Sequence, residues 1–285
     1  MANSDLLTKI AEYYPHLTKS EKKVADYILS SPQEVLKFTI SDLAETCGVG
    51  DTTVFRFCRT LKLDGYQNFR LALAISLNSH DVSDIRNGNQ GFDSENIDEL
   101  CRSVMNAYIE AVNNTFKILD FESLKKAVDL IADARLIYFY GLGGSGITAE
   151  EAKNKFLRVT PNVFYNCDSH MQLMTASLLS EEDLAIIFSN SGTTKDAIEI
   201  TRLAKSAGAK TIFITRFPKT PAARYTDVLL ISGANEGPMQ GGSIAAKTSQ
   251  LFMVDILYAE YFRRFFDKCS ENKKQTSKSI AGKML

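Results

Sequence analysis

The stretch LAIIFSNSGTT, residues 184–194, combines an unbroken apolar run with a turn of small hydroxyl residues. Helical spacing resumes directly after it, at Ala197, Ile198 and Ile200. The pattern predicts a buried strand, a tight turn and the start of a helix. Such a turn offers backbone N–H groups, a helix dipole and hydroxyls to an anion, above all a phosphate. A capped strand–helix loop would give the same pattern, because Ser and Thr are common N-caps.

A second turn of this kind occurs earlier in the chain. The apolar run LIYFY, residues 136–140, leads into the glycine-rich GLGGSG, residues 141–146. Two phosphate-type turns in one α/β region are much harder to explain as ordinary loops than one. No acidic residue ends the second strand, where a dinucleotide ribose would need one, so a dinucleotide site is not favoured. We therefore predict a small phosphorylated ligand.

Apolar runs alternate with helical patterns throughout the second part of the chain. The runs are residues 136–140, 163–165, 184–188, 211–215 and 228–231. Unbroken apolar strands separated by helices predict a parallel sheet that is covered on both faces. Helices are predicted over 97–119, 121–133 and 243–266, and the polar, Lys/Ser-rich tail at 271–283 is predicted to be disordered.

The first 77 residues have all-helical patterning. One predicted helix opens at residues 18–21 and ends at Ser31-Pro32, and Ser41 is the candidate N-cap of a later one. Residues 47–50 then break the pattern before a helix that starts at Asp51. This helix–break–helix spacing is typical of a helix-turn-helix. The inward face of the last helix is predicted to carry Val54, Phe57, Cys58 and Leu61.

Basic residues recur every third position on that last helix. We take the N-terminal residues to meet base edges and the later ones to meet phosphates. The candidate DNA contacts are Thr52, Thr53, Arg56, Arg59 and Lys62. A surface helix with solvated charges would show the same periodicity. Nine Lys and Arg against nine Asp and Glu leave residues 1–77 neutral, so bulk charge does not favour DNA binding.

Length and composition narrow the class of protein. The 285 residues suffice for two domains, and the formal net charge of −1 does not suit a general polyanion binder. The five cysteines are widely spaced without a C-x-x-C pair, which argues against a disulfide framework or a zinc site. The N-terminus lacks a signal-peptide pattern, and no apolar run approaches the ~20 residues of a membrane span. We expect a soluble cytoplasmic protein without a cofactor.

Four segments are predicted from these patterns. Residues 1–77 form the helix-turn-helix domain, and the polar, Gly/Asn-rich residues 78–95 form a linker. Residues 96–267 form the α/β domain, and 268–285 the polar tail.

Strands followed by helices place ligand sites at the carboxyl ends of the strands. His170, in Asp168-Ser169-His170, follows the second strand, although a surface or helix-capping histidine would look the same. Glu236 lies in the loop after the last strand, and Lys247 on the first turn of the next helix. Alternatively, Glu236 and Lys247 are ordinary solvated charges on the surface.

Together these motifs resemble the RpiR family of bacterial regulators. The resemblance rests on LTKSEKKVADYI (17–28), ISDLA (40–44) and TVFRFC (53–58), and on the motifs at 141–145, 168–170 and 189–194. It covers roughly residues 4–77 and 97–266. The family implies a helix-turn-helix domain followed by a SIS (sugar isomerase) domain, a five-stranded parallel sheet flanked by helices.

The resemblance also implies a function and a set of ligand contacts. It implies a DNA-binding regulator of sugar metabolism genes, more often a repressor, which binds operator DNA as a homodimer or homotetramer under control of a phosphosugar. In the family pattern Ser189, Ser191 and Thr194 hold the phosphate, while Ser145 and His170 contact the sugar. The implied phosphosugar-binding residues are Gly143, Ser145, His170, Ser189, Asn190, Ser191, Thr194, Glu236 and Lys247.

The chain departs from the family pattern at three positions. Lys247 stands where many relatives carry arginine, Asn190 where histidine is frequent, and Gly50 where a serine often begins the recognition helix. The alternative function is a phosphosugar isomerase that uses His170 and Glu236 as an acid–base pair. An isomerase has no need of Arg56 and Arg59 in a basic stripe, so the sequence favours the regulator and predicts no catalytic residue.

Overall fold

The computed structural model describes residues 6–78, 97–233 and 244–282. The chain divides into two compact units, and the division falls between Asn106 and Ala107. The predicted linker lies outside the described residues except for Asn78. No helix within the described ranges combines the length and apolar character that a bilayer crossing needs.

The N-terminal unit is helical, as predicted. Its helices are α1 (Leu6–Tyr13), α2 (Lys19–Ser30), α3 (Pro32–Val35), α4 (Ile40–Thr46), α5 (Asp51–Thr60) and α6 (Tyr66–Asn78). The predicted inward face of α5 is confirmed, because Val54, Phe57, Cys58 and Leu61 are all fully buried. They share one apolar core with residues such as Ile28 and Phe69.

The N-caps of α2 and α4 are reciprocal capping boxes. Thr18 caps α2, with its hydroxyl accepting from the Glu21 N–H while Glu21 accepts from the Thr18 N–H. The predicted N-cap Ser41 is wrong, since Thr39 caps α4 and pairs in the same way with Asp42. An acidic residue three positions after Thr39 closes this pair, whereas Ser41 already lies inside the helix. The Ser41 hydroxyl instead donates to Asp51 Oδ2 at 2.7 Å.

The second unit contains one parallel sheet, which confirms the predicted strands to within a residue. Its strands are β1 (Ile137–Tyr140), β2 (Val163–Tyr165), β3 (Leu184–Phe188), β4 (Lys210–Thr215) and β5 (Val228–Ile231). They lie in the order β2-β1-β3-β4-β5, and all pairs are parallel. Tyr140 pairs with Ile187, and Phe188 with Ile214, so the carboxyl ends of β1, β3 and β4 lie together.

Helices cover both faces of this sheet. The remaining helices of the chain are α7 (Ile97–Lys117), α8 (Phe121–Asp133), α9 (Gly144–Phe156), α10 (Ser169–Ser177), α11 (Lys195–Ser206), α12 (Ile244–Arg264) and α13 (Phe266–Ala281). Helices α8, α9 and α12 pack with Ile186 on one face, while α10 and α11 pack with Ile187 on the other. Every residue of β3 is buried, which explains its unbroken apolar sequence.

Helix α7 buries little of its apolar surface. Ala111 and Thr115 are buried, and Thr115 Oγ1 accepts from the Gly233 N–H at 3.0 Å. Ile109 and Phe116 are about half exposed. The predicted amphipathic helix is therefore present, with large apolar side chains that the described residues of a single chain leave uncovered.

The predicted disordered tail is wrong, because residues 266–281 form α13. Cys269 is fully buried in the core of the second unit. Asn272 Nδ2 donates to the Val159 carbonyl at 2.7 Å, and Thr276 Oγ1 to the Arg158 carbonyl at 3.1 Å. These three residues recur at i, i+3 and i+7, so they share the face that packs, and the lysines and serines around them are the solvated remainder.

Candidate functional site

The two predicted phosphate-type turns lie at the topological switch point of the sheet. From β1 the chain passes through α9 to β2 on one side, and from β3 through α11 to β4 on the other. Because α9 and α11 cover opposite faces, the loops after β1 and β3 turn to opposite sides of the sheet, which is the topology that forms a crevice in open α/β folds. Ligands of open α/β sheets bind in such a crevice.

The loop after β3 carries the three hydroxyls predicted to hold a phosphate. Of these three, only that of Ser191 takes part in hydrogen bonds within this described loop, as an acceptor. The Ser189 side chain is only 4% exposed, yet its hydroxyl has no hydrogen-bond partner among the described residues. Ser191 Oγ accepts from the Thr193 N–H at 3.3 Å, which leaves its proton free to be donated. Thr194 is the N-cap of α11 but makes no capping hydrogen bond with its side chain. Three hydroxyls thus surround an uncapped helix N-terminus, an arrangement suited to an anion.

The loop after β4 fixes the backbone of this hydroxyl loop. Thr220 Oγ1 donates to the Gly192 carbonyl at 2.7 Å, and Thr215 Oγ1 to the Asn190 carbonyl at 3.2 Å. Gly192 has φ +64°, and a Cβ there would lie 2.9 Å from both Thr215 Oγ1 and Thr220 Cβ. Glycine is therefore required at 192 by conformation and by space. These contacts consequently fix the backbone of the loop that carries the hydroxyls.

The glycine-rich loop uses two of its glycines for different reasons. A Cβ on Gly141 would lie 2.4 Å from the carbonyl oxygen of Ser145, so the backbone turns back on itself there. Gly143 has open space around it but adopts φ +55° as the N-cap of α9. This geometry brings Ser145, half-buried on the first turn of α9, next to the crevice.

Gln172 joins the loops after β1 and β2, a role that was not predicted from the sequence. The side chain on α10 is fully buried. Its Oε1 accepts from the Gly141 N–H at 3.2 Å, and its Nε2 donates to the carbonyls of Gly141 at 2.9 Å and Asn166 at 2.7 Å. The signal in the sequence is a lone amide between Met171 and Leu173.

Gln250, on α12, also joins two segments of the chain at the glycine-rich loop. It is buried, its Nε2 donates to Ser145 Oγ at 3.3 Å, and its Oε1 accepts from Thr148 Oγ1 at 3.2 Å. Lys247 precedes it by three residues on the same helix and is half-buried, so both lie on neighbouring positions of one face. The contact ties the helix that carries Lys247 to the glycine-rich loop. The predicted ligand residue Glu236 lies outside the described residues.

His170 is exposed on the first turn of α10. It does not cap that helix, because Asp168 is the N-cap and accepts from the Met171 N–H at 3.0 Å.

Burial raises the pKa of the Tyr140 and Tyr165 phenols, so both side chains beside the glycine-rich loop are neutral at physiological pH. In the described part of the chain, no group of His, Cys, Asp and Glu side chains is arranged to hold a metal ion.

The candidate DNA contacts on α5 form an exposed stripe that differs from the predicted set. Thr52, Arg56 and Arg59 are exposed at i, i+4 and i+7. Thr53 is only 7% exposed, so its side chain belongs to the packed face, and Phe55 is the residue that completes the stripe. Lys62 is exposed but lies beyond the last residue of α5, in a turn with φ +57°.

Arg59 makes contacts that DNA can replace. Its Nη1 lies 3.0 Å from Asp64 Oδ1, and both side chains are more than half exposed. Exposed ion pairs of this kind contribute ~0–1 kcal/mol, so exchanging Asp64 for a phosphate or a base costs little. The guanidinium also lies 5.5 Å from the centre of the Phe55 ring.

Comparisons with known proteins agree with this two-part architecture. The family model described as the helix-turn-helix domain of the rpiR family matches residues 4–80, and the SIS domain model matches residues 130–260. A helix-turn-helix transcriptional regulator of Haemophilus influenzae is 36% identical over 97% of this chain and 96% of its own. The regulator HexR of Escherichia coli is 30% identical over 97% and 94%.

A structural likeness extends over the same length. The Vibrio vulnificus NanR protein, in complex with ManNAc-6P, aligns with 98% of this chain and 99% of its own. Its TM-score is 0.87 and its sequence identity 27%.

Proposed function

This chain belongs to the rpiR family of helix-turn-helix transcriptional regulators that carry a SIS domain, and from that premise we propose how it senses its effector. A phosphorylated sugar binds in the crevice after β1 and β3 and changes the affinity of α5 for operator DNA. The observation that carries this proposal is the buried, unpartnered hydroxyl of Ser189 at the switch point. Leaving such a group without a partner costs ~1–3 kcal/mol, and a ligand oxygen would supply the missing partner.

In this proposal the two ends of the ligand have separate contacts. Ser189, Ser191 and Thr194 hold the phosphate at the N-terminus of α11, together with the backbone at Asn190. Ser145, His170 and Gly143 border the sugar, and Lys247 and Glu236 complete the pocket. The ManNAc-6P bound by NanR supports hexose and amino-sugar 6-phosphates as the ligand class. As the resemblance implies, we propose that the chain represses its target genes.

Ser191→Ala is expected to weaken phosphosugar binding by about tenfold or more, because a hydrogen bond to a charged group is worth ~1.5–3 kcal/mol. Ser189→Ala and Thr194→Ala should act in the same direction. A free sugar lacks the phosphate, so its affinity should not change. Calorimetric titration with a panel of hexose and amino-sugar 6-phosphates and the matching free sugars measures both.

Ser177→Ala is the matched control for this series. Ser177 is exposed at the far end of α10, where its hydroxyl donates to the Met174 carbonyl, so its loss should leave the affinity unchanged. If Ser191→Ala bound the phosphosugar as tightly as wild type, the hydroxyl loop would be an ordinary capped turn.

The coupling between effector and DNA gives the direct test of the function. The operator is first selected from a random duplex library, and its binding is followed by fluorescence anisotropy with and without saturating phosphosugar. We expect the affinity for DNA to change ~5–150-fold, and the affinity for the phosphosugar to change by the same factor when operator is present. Equal DNA affinities in both conditions would exclude this phosphosugar as the effector.

We propose that the chain is not an isomerase. This proposal is supported by the similarity to transcriptional regulators over nearly the whole chain. It is also supported by the exposed stripe on α5, which an isomerase would not need.

We also propose a homodimer, supported by the uncovered apolar residues Ile109 and Phe116 on α7. Two copies would then read two half-sites about one helical turn of DNA apart.

A further inference from the structure

Phe55 is a large apolar side chain on the polar face of α5. It is 39% exposed and lies between Thr52, Arg56 and Arg59 on the stripe, while its neighbours Val54 and Phe57 are fully buried. The apolar core of the N-terminal unit is formed without it. Core packing therefore does not explain a phenylalanine at this position.

The ring of Phe55 is fixed in place from two sides. Gly65 has φ +147°, and a Cβ built there would lie 3.5 Å from Phe55 Cε2, so the ring lies against the Gly65 backbone. The Arg59 guanidinium lies 5.5 Å from the ring centre, and Asp64 holds that guanidinium in turn. A side chain that is already ordered loses little conformational entropy when it binds.

The chemistry of the major groove suggests what such a ring would contact. The apolar group that a base pair presents there is the C5-methyl of thymine, and phenylalanine is among the side chains that contact it. Phe55 is on the N-terminal half of α5, the part of a recognition helix that meets base edges. Arg56 and Arg59, which follow Phe55 on the same helix, carry the side chain that binds guanine most often.

We propose that Phe55 is a specificity-determining residue, which recognises the methyl group of a thymine next to a base read by Arg56 or Arg59. The inference rests on the proposed binding of DNA through α5. It predicts that the operator carries a required thymine in each half-site, and that the requirement is for the methyl group itself.

Substitution of thymine by deoxyuridine tests this directly, because the two bases differ only in the methyl group. The wild-type full-length chain first selects its preferred duplexes from a random library. The consensus duplex is then made with deoxyuridine in place of each thymine in turn. At one position per half-site, wild type should bind the deoxyuridine duplex about 4-fold more weakly, the effect of one buried CH₂-sized group.

Variants at Phe55 complete the thermodynamic cycle. Phe55→Ala should bind the thymine duplex about as weakly as wild type binds the deoxyuridine duplex, and should no longer distinguish the two. Phe55→Leu keeps an apolar side chain and should retain part of the preference, so the test stands even where Phe55→Ala binds too weakly to measure. Leu29→Ala, a change at another exposed apolar residue of the unit, should alter neither affinity nor preference.

Arg56→Ala separates this role from general affinity. It should weaken binding to both duplexes by the same factor and leave the thymine preference intact. The inference is overturned if wild type shows no methyl dependence at any position, or if Phe55→Ala retains it. Failure of wild type to enrich any sequence would instead contradict the proposed DNA binding itself.

Discussion

Phe57→Ala is expected to leave the N-terminal unit largely unfolded near physiological temperature. The Phe57 side chain is fully buried and packs edge-on against Phe69, with ring centroids 6.0 Å apart. Removing a buried phenylalanine ring costs ~3–5 kcal/mol, because the transfer energy is lost and a cavity remains. A whole domain is stable by only ~5–15 kcal/mol, and small domains lie at the lower end. Operator binding should therefore be lost, while calorimetry should still detect phosphosugar binding.

Phe55→Ala is the matched control. It removes the same type of side chain two residues earlier in the chain, where the side chain is partly exposed. Its unfolding free energy should fall by less than about 1 kcal/mol, as is usual for surface changes. Denaturant unfolding followed by circular dichroism compares the two variants. If both lost stability equally, the assignment of Phe57 to the core and Phe55 to the surface would be wrong.

Gly141→Ala is expected to have the largest effect on the ligand site. The new Cβ would lie 2.4 Å from the Ser145 carbonyl oxygen and 2.7 Å from its carbonyl carbon, both backbone atoms that no side-chain rotation can move. The first turn of α9 must shift, which also strains the hydrogen bonds between Gln172 and Gly141. We expect a loss of stability at or above the ~1–3 kcal/mol typical of overpacked sites, together with loss of phosphosugar binding.

Gly143→Ala separates steric clash from backbone strain. Its Cβ would meet no atom within 4 Å, so the cost comes only from the backbone conformation, φ +55° and ψ −128°, which side chains rarely adopt, and should be ~1–3 kcal/mol. Chemical denaturation and calorimetry on both variants give the comparison. A Gly141→Ala variant that binds the phosphosugar as well as Gly143→Ala does would contradict the close approach of Gly141 to Ser145.

The sheet was predictable from sequence because strands buried on both faces leave an unbroken apolar run, as in residues 184–188. The packed face of α5 was predictable from its 3.6-residue period. The burial of Thr53 was not predictable, because a small polar residue at the edge of a packed face has no periodic signal of its own. The helical tail was missed because its composition is polar, while its anchoring depends on a few contacts with distant carbonyls, such as that of Asn272 with Val159.

The same distinction between local signals and distant contacts applies to the candidate site. The loops after β1 and β3 were found from sequence because strand and turn signals are local. Gln172 and Gln250 were not, because a glutamine is buried only where a distant segment offers matching hydrogen-bond partners. Such partners become visible only once the fold has brought them together.

The way the hydroxyl loop is held has a consequence for how this protein can evolve. Thr220 and Thr215 hold the loop through the backbone carbonyls of Gly192 and Asn190, within the β3–β4 half of the sheet. The proposed sugar contacts come instead from the glycine-rich loop and the start of α9, from α10 and from the start of α12, on other segments of the chain. After a gene duplication, those segments can therefore change and give a new sugar specificity. The proposed phosphate-binding loop would stay unchanged in both copies.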